Sequence, residues 1–292
     1  MPTPGAILPD IPYQNGFLID GRVVPFFSFS QPGQNVHWSE EMSHFISETT
    51  QDHFIDRYNR DIACRALAPS LRTPDANYID IGCGPGYLLQ EVASACPDAN
   101  IYGSDYIAES LVQCHRLLPK IPLFQWDITE RKLPDDFFDA ISCLNVLEHI
   151  TDDVAALREI RRVLKPGGRA AITVPAGPSL YDLNDEIHFH VRRYTMPDLL
   201  AKCRGAGLTV LRHNYFGVAI YPAFWFRKKM NQWLYGQRTR SEKQRIALSQ
   251  AKGTQSIPWL GPLCRLEYRL GQWLSFPAGV RAYVVAQKGA EG

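Results

Sequence analysis

From Tyr78 onward the chain alternates short apolar runs with longer stretches of helical spacing. Tyr78-Ile79-Asp80-Ile81 fits a buried strand of a parallel sheet, and a helical segment opens at Tyr87-Leu88-Leu89. Ala99–Asp105 reads as a second strand, followed by the helical pattern Ala108–Leu118. Pro122–Trp126 and Phe138–Leu144 read as the third and fourth strands. Leu164-Lys165-Pro166-Gly167-Gly168 closes a helix with a Pro–Gly turn and feeds a fifth strand, Arg169–Val174. A helix over Pro197–Gly205, with Thr195 as its N-cap, precedes a sixth strand at Leu208–Leu211, and Val280–Ala286 reads as the last. Strands that alternate with helices predict an α/β fold with a mostly parallel sheet.

Two regions fall outside that alternation. Residues 1–36 are rich in proline, glycine and aromatics, as in Phe26-Phe27-Ser28-Phe29, and read as an ordered arm. From Trp38 the pattern turns helical, with Phe45, Ile46, Phe54, Ile55, Tyr58, Ile62 and Leu67 at three- and four-residue spacing, broken near Thr49-Thr50. About 65 residues separate the last two strands, far beyond a hairpin loop. If strand six runs parallel to the first five, the last strand starts at their carboxyl edge, where open α/β sheets bind ligands. The expected organisation is an N-terminal arm with cap helices (1–70), a core (71–216 plus 279–290) and an inserted cap (217–278). Residues 176–194 leave strand five at the same edge and would complete a substrate roof.

Composition narrows the function. The 292 residues carry a formal charge near +1, which argues against an extended nucleic-acid footprint. Seven scattered cysteines without a Cys-x-x-Cys suggest a reducing compartment and no structural zinc. The start, Met1-Pro2-Thr3-Pro4-Gly5, lacks the features of a secretion signal, and no apolar run approaches the roughly 18 residues of a membrane span. A cytoplasmic protein is expected, with a membrane-peripheral one as the variant.

The chemistry concentrates at the strand ends. Asp80-Ile81-Gly82-Cys83-Gly84-Pro85-Gly86 sets glycines at alternate positions between a strand and a helix, where backbone N–H groups can approach a ligand. A dinucleotide loop would read G-x-G-x-x-G, and a carboxylate at Asp80 would repel a pyrophosphate but attract a cationic amino-acid moiety. A nicotinamide oxidoreductase is therefore disfavoured. Cys83 reads as a reactive thiol or as a small apolar filler. Asp105 ends the second strand, where a doubly wound fold grips ribose hydroxyls, and Asp127-Ile128 end the third, where a carboxylate can accept from an adenine amino group. Spacing alone reaches a nucleoside-like ligand.

Asp80–Gly86, Asp105, Asp127-Ile128, Asn145-Val146-Leu147-Glu148-His149 and Leu164–Gly168 together resemble the class I S-adenosylmethionine-dependent methyltransferases, over about residues 75–215. The resemblance implies a doubly wound Rossmann-like sheet of seven strands, the last antiparallel, with helices on both faces and an added helical cap. It further implies that Gly82, Gly84 and Gly86 carry the methionine moiety, Asp105 holds the ribose with Tyr106 beside the adenine, and Asp127 and Ile128 bind the adenine. Asn145, Glu148 and His149 would line the sulfur side of S-adenosyl-L-methionine. The expected reaction is O-methylation of a small metabolite, sugar or lipid-linked acceptor in biosynthesis. N- or C-methylation, or a non-catalytic cofactor-binding partner subunit, are the alternatives.

Asp185-Glu186-Ile187-His188-Phe189-His190 holds the catalytic candidates, His188 and His190, which an extended segment would place on one face. A histidine could take the proton of an attacking hydroxyl, the cluster could bind a metal, or the residues could only anchor the loop. Of the pair, His190 better matches the family's position, and no metal is expected. Tyr221–Tyr235 joins aromatics with Arg227-Lys228-Lys229. It reads as a helix in a membrane interface, or as one packing its aromatics on the core while its cations stay wet. Leu263–Leu274 reads as a second cap helix.

Overall fold

The computed structural model describes residues 13–29, 53–239, 241–243, 245–246 and 260–289. Among the described residues there are ten strands: β1 (Phe17–Ile19), β2 (Arg22–Val24), β3 (Phe27–Ser28), β4 (Asn77–Ile81), β5 (Asn100–Asp105), β6 (Leu123–Gln125), β7 (Phe138–Leu144), β8 (Leu164–Pro175), β9 (Leu208–Phe216) and β10 (Arg281–Lys288). The helices are α1 (Phe54–Leu67), α2 (Tyr87–Ala95), α3 (Ala108–Leu117), α4 (Asp153–Val163), α5 (Leu183–Ile187), α6 (Met196–Gly205), α7 (Tyr221–Tyr235) and α8 (Leu260–Leu270).

The main sheet runs β3-β6-β5-β4-β7-β8-β10-β9, parallel from β3 to β8, with β10 antiparallel between β8 and β9. The seven strands expected of a Rossmann-like fold are all present. The eighth, β3, comes from the N-terminal arm and pairs with β6 at the sheet edge. The aromatics of that arm fix it there: Phe17 is fully buried among Phe27 and Phe124, and Phe27 meets Phe29 edge-on.

β4 is buried at every position, as a central parallel strand should be. Its two faces feed two cores. Ile79 and Ile81 join Ile141, Ile172 and Val284 on one side; Tyr78 joins Leu67, Leu89 and Ala140 on the other. Chain order reverses between β4 and β7, so a switch-point crevice opens where the loops after these two strands diverge.

Leu164–Gly168 departs from the expected turn. Helix α4 ends at Val163, and the Pro–Gly segment is already part of β8, bulged between its pairings to Phe138 and Ala140, with Gly167 at φ 80°. β9 runs on to Phe216, and β10 starts opposite both Phe216 and Pro175. The insertion therefore leaves and re-enters at the carboxyl edge of the sheet. The first expected helix, from Trp38, lies outside the described residues; the second is α1.

Candidate functional site

The three loop glycines do different work. A Cβ on Gly82 would collide with Val146, and one on Gly86 would come within 2.6 Å of Cys114 Sγ, so both are glycine to let neighbouring segments close up. A Cβ on Gly84 would meet no atom within 4 Å. With φ at 51°, Gly84 faces open space in front of the loop. Cys83 is buried against this turn and its thiol is pushed well above the ordinary range, first by a bond with Cys114 and then by burial. It is a packing residue.

Asp105 binds the loop from the next strand. Its Oδ2 accepts from Gly84 N–H at 2.9 Å and its Oδ1 from Ile107 N–H at 2.9 Å. Burial raises its carboxyl above the usual range, opposed by these backbone donors. Asp80 is buried (4 % exposed), accepts from Ser142 Oγ at 2.5 Å, and is pushed up to about 7 by that burial. Ser142 in turn pairs with the Tyr78 hydroxyl at 2.6 Å. An acid so enclosed beside an open glycine loop is poised to gain from a cationic ligand group.

On the far side of the crevice, Asn145 ends β7 with φ at 57°, and its Oδ1 is buried without a hydrogen-bond partner. Asparagine tolerates the left-handed region, and its unpaired buried oxygen leaves an acceptor open to a ligand donor. Asp127 is partly committed: its Oδ1 accepts from Thr129 N–H at 2.9 Å and Thr129 Oγ1 at 2.7 Å. The Ile128 side chain lies in the core, so only its backbone can face a ligand. Tyr106 sits between Asp105 and Ile107 at the same strand end, its carbonyl accepting from Gln125 Nε2 at 3.1 Å. This set fits S-adenosylmethionine: an open cradle at Gly84, acids at 80 and 105, and an unsatisfied acceptor at Asn145.

The histidine segment is not extended. Asp182 and Asp185 form a reciprocal capping box that nucleates α5, His188 is its C-cap, and Phe189 turns left-handed at φ 55°. The rings of His188 and His190 still converge, with centroids 5.8 Å apart, but by that turn and not by strand alternation. His190 Nδ1 lies 2.8 Å from Asp185 Oδ1, and His188 Nδ1 lies 2.6 Å from the Asn184 carbonyl. Burial lowers His190 to about 4 against the pull of Asp185, and lowers His149 to about 3. Burial pushes Glu148 up to about 8.

The rest of the motif anchors the loop. Arg193 donates to Asp185 Oδ1 at 2.8 Å and to the Ala176 carbonyl at 2.9 Å. The Tyr194 hydroxyl reaches Asp153 Oδ2 at 2.7 Å, and Thr195 Oγ1 caps α6. Anchoring thus accounts for residues 193–195, while the His190 ring lies beside that of His149, with centroids 4.8 Å apart.

Sequence reasoning missed the partner of this loop. Lys228 on α7 is 2 % exposed and donates to Asp182 Oδ1 at 2.6 Å and Asp185 Oδ2 at 2.9 Å, while Asn231 donates to Asp182 Oδ2 at 2.8 Å. Burial alone would raise Asp185, but the His190 bond and the Lys228 and Arg193 cations hold it well below the usual carboxylate range. The only signal was Lys228 and Asn231 at i,i+3 in an aromatic helix. α7 is consequently inverted: it buries those two polar residues and turns Phe226 (64 % exposed) and Trp233 (83 %) outward. The expectation of packed aromatics and wet cations is overturned by that ion network. Glu267 on α8 is a second buried contact that no local pattern announced. It accepts from the backbone N–H groups of Gly217, Val218 and Ala219, closing the turn after β9.

Residues 79–172 match the family described as a methyltransferase domain. An uncharacterised 37.1 kDa protein of transposon Tn4556 from Streptomyces fradiae is 37 % identical over 111 residues, covering 37 % of this chain and 32 % of that protein. The ubiquinone biosynthesis O-methyltransferase of Pseudomonas aeruginosa is 31 % identical over 109 residues, covering 35 % of this chain and 46 % of that enzyme. The chain thus spans less than half the length of either relative. In fold it is similar to phosphoethanolamine N-methyltransferase 2 of Haemonchus contortus, solved with S-adenosyl-L-methionine. The TM-score is 0.60 at 15 % identity, over 87 % of this chain and 58 % of that one.

Proposed function

From a chain that carries a class I S-adenosylmethionine-dependent methyltransferase domain, we propose an enzyme that O-methylates a small metabolite, sugar or lipid-linked hydroxyl. The observation that carries the reading is the convergence, at one switch-point crevice, of the open Gly84 cradle with the buried acids Asp80 and Asp105.

Asp105 would accept from the ribose hydroxyls while its backbone donors hold it in place, with Tyr106 beside the adenine. Ile128 N–H and Asp127 would meet the adenine edge. Gly82, Gly84 and Gly86 shape the wall along the methionine moiety, and Asp80 would balance its ammonium. Asn145, Glu148 and His149 would stand on the sulfur side. S-adenosylmethionine supplies a methyl group on a sulfonium that departs as a neutral thioether. The protein aligns the acceptor oxygen with that methyl and excludes water. His190, fixed through Nδ1 by Asp185, is neutral at pH 7 and presents an Nε2 lone pair to receive the acceptor's proton, with His188 behind it. The roof is residues 176–194 with α7 docked on them through Lys228 and Asn231.

α7 supports a lipid-like acceptor. Its outer stripe of Phe226, Met230, Trp233 and Leu234 is exposed and the helix has no acidic residue, while Arg227 is half-buried and Lys229 donates to the Ser179 carbonyl. That pattern suits a bilayer interface, with the exposed indoles at the acyl boundary. No helix among the described residues is long and apolar enough to cross a membrane. The test of the activity is transfer of labelled methyl from S-adenosylmethionine to a panel of hydroxylated, aminated and lipid acceptors. Turnover only on amines would turn the reading to N-methylation, and cofactor binding without any turnover would favour a partner subunit.

A further inference from the structure

We propose that Glu148, His149 and His190 form a binding site for one divalent transition cation, of the Zn²⁺ type, with an open position for the acceptor oxygen. The three side chains come from two segments, the end of the loop after β7 and the turn after α5. Each offers one ligand atom, and those atoms all lie within 4.8 Å of one another. The Val191 N–H donates to the Glu148 carbonyl at 2.7 Å, which pins the segments together.

Two observations point to a ligand. The first is Glu148: its residue is 1 % exposed, yet its Oε2 is buried with no hydrogen-bond partner. Leaving such an oxygen unsatisfied is destabilising, and a cation would recover that loss. The second is the support behind each imidazole. His190 is held through Nδ1 by Asp185, itself fixed by Arg193 at 2.8 Å and Lys228 at 2.9 Å, so Nε2 faces the cluster. His149 donates a ring N–H to the backbone carbonyls of Phe189 and His188. A carboxylate or carbonyl behind a histidine is the arrangement that fixes ligand tautomers in metal sites.

Two imidazoles and one carboxylate are the donor set of catalytic zinc and of other borderline first-row cations, not of Mg²⁺ or Ca²⁺. Two ligands of a tetrahedral zinc lie about 3.3 Å apart, so the donors draw in by up to about 1.5 Å on binding. For the acceptor step this rests on the methyl-transfer reading. The bound cation takes the hydroxyl oxygen into its open position and its proton leaves to water. The oxygen lone pair then forms the O–CH₃ bond while the S–CH₃ pair stays on sulfur. With the cation bound, the His190 Nε2 lone pair goes to the metal in place of the acceptor's proton, so loss of His190 removes cation binding as well as turnover. A proton acceptor alone would show only the second.

The chain, stripped with chelator, would be titrated calorimetrically with Zn²⁺, with Mg²⁺ as control, and read by elemental analysis and by the visible spectrum of the Co²⁺ form. The expected result is about one equivalent of Zn²⁺. Glu148→Gln and His190→Gln should each weaken it tenfold or more. Sub-stoichiometric Zn²⁺, or binding that both variants retain, would overturn the site. Where a variant fails to fold by circular dichroism, the wild-type Co²⁺ spectrum decides: intense d–d bands uphold four- or five-coordinate nitrogen ligation, and a hexaaqua-like spectrum refutes it. Loss of cofactor binding with Zn²⁺ intact would sink the methyltransferase reading and leave the cation site standing.

Discussion

In its proposed place beside the ligand ammonium, Asp80 should make cofactor affinity depend on pH in a defined direction. Burial holds its carboxyl at about 7, so in the ligand-free protein it is largely protonated under mildly acidic conditions. The proposed ligand ammonium favours the ionised form, so binding releases a proton and strengthens as pH rises. Between pH 5.5 and 7 the ionised fraction of a group with pKa about 7 grows from about 3 % to about half, an affinity gain of about fifteenfold. Above about pH 8 the ligand's own α-amino group loses its proton and the curve turns over. Burial raises Asp105 as well, so the Asp80→Asn variant is needed to separate the two. Titration calorimetry with S-adenosylhomocysteine, repeated in buffers of different ionisation enthalpy, reads both the affinity and the proton released. The wild type should show the rise and Asp80→Asn a flatter curve. The stability of the free protein supplies the sign check. A carboxyl raised on folding binds its proton more tightly in the native state, so its contribution falls as pH climbs from about 4 to about 7. An affinity that is constant or falls over that window in the wild type, or the same rise in Asp80→Asn, would refute the ammonium contact.

The other predictions concern support and surroundings. Lys228→Met leaves Asp182 and Asp185 buried without their cation, and should cost about 3–5 kcal/mol, a melting point lower by about 10 °C in calorimetry. Gly84→Ala meets open space in the free protein, so only the left-handed backbone resists it, at about 1–2 kcal/mol. It should lose cofactor affinity out of proportion to stability, whereas Gly86→Ala should lose stability first, because Cys114 stands in its way. Trp233→Ser with Phe226→Ser should abolish co-sedimentation with phosphatidylglycerol vesicles while leaving cofactor binding intact. Equal sedimentation of variant and wild type, or none by either, would reject the interface role of α7.

The central sheet could be read from the chain because each strand was an apolar run closed by an acid or a glycine turn, a pattern that local physics dictates. The strand ends bearing Asp80, Asp105 and Asn145 were legible for the same reason. What escaped were contacts between distant segments. Nothing local announces that Lys228 pairs with Asp182 and Asp185 across about 45 residues, and an aromatic helix with cations does not say which side faces inward. The His188–His190 geometry was misread because alternation was assumed where the Asp182–Asp185 capping box had already set a helix. The edge strand β3 is only two residues long and is held by aromatic packing from Phe17, Phe27 and Phe29, which no period marks.

The most direct test of the central claim is calorimetric titration of the purified chain with S-adenosylmethionine and S-adenosylhomocysteine, with NADH as control and Asp105→Ala as second protein. Micromolar binding of both nucleosides is expected. Losing two charge-assisted hydrogen bonds to the ribose should weaken Asp105→Ala about a hundredfold or more. Binding of NADH in their place, or nucleoside binding indifferent to Asp105→Ala, would contradict the account.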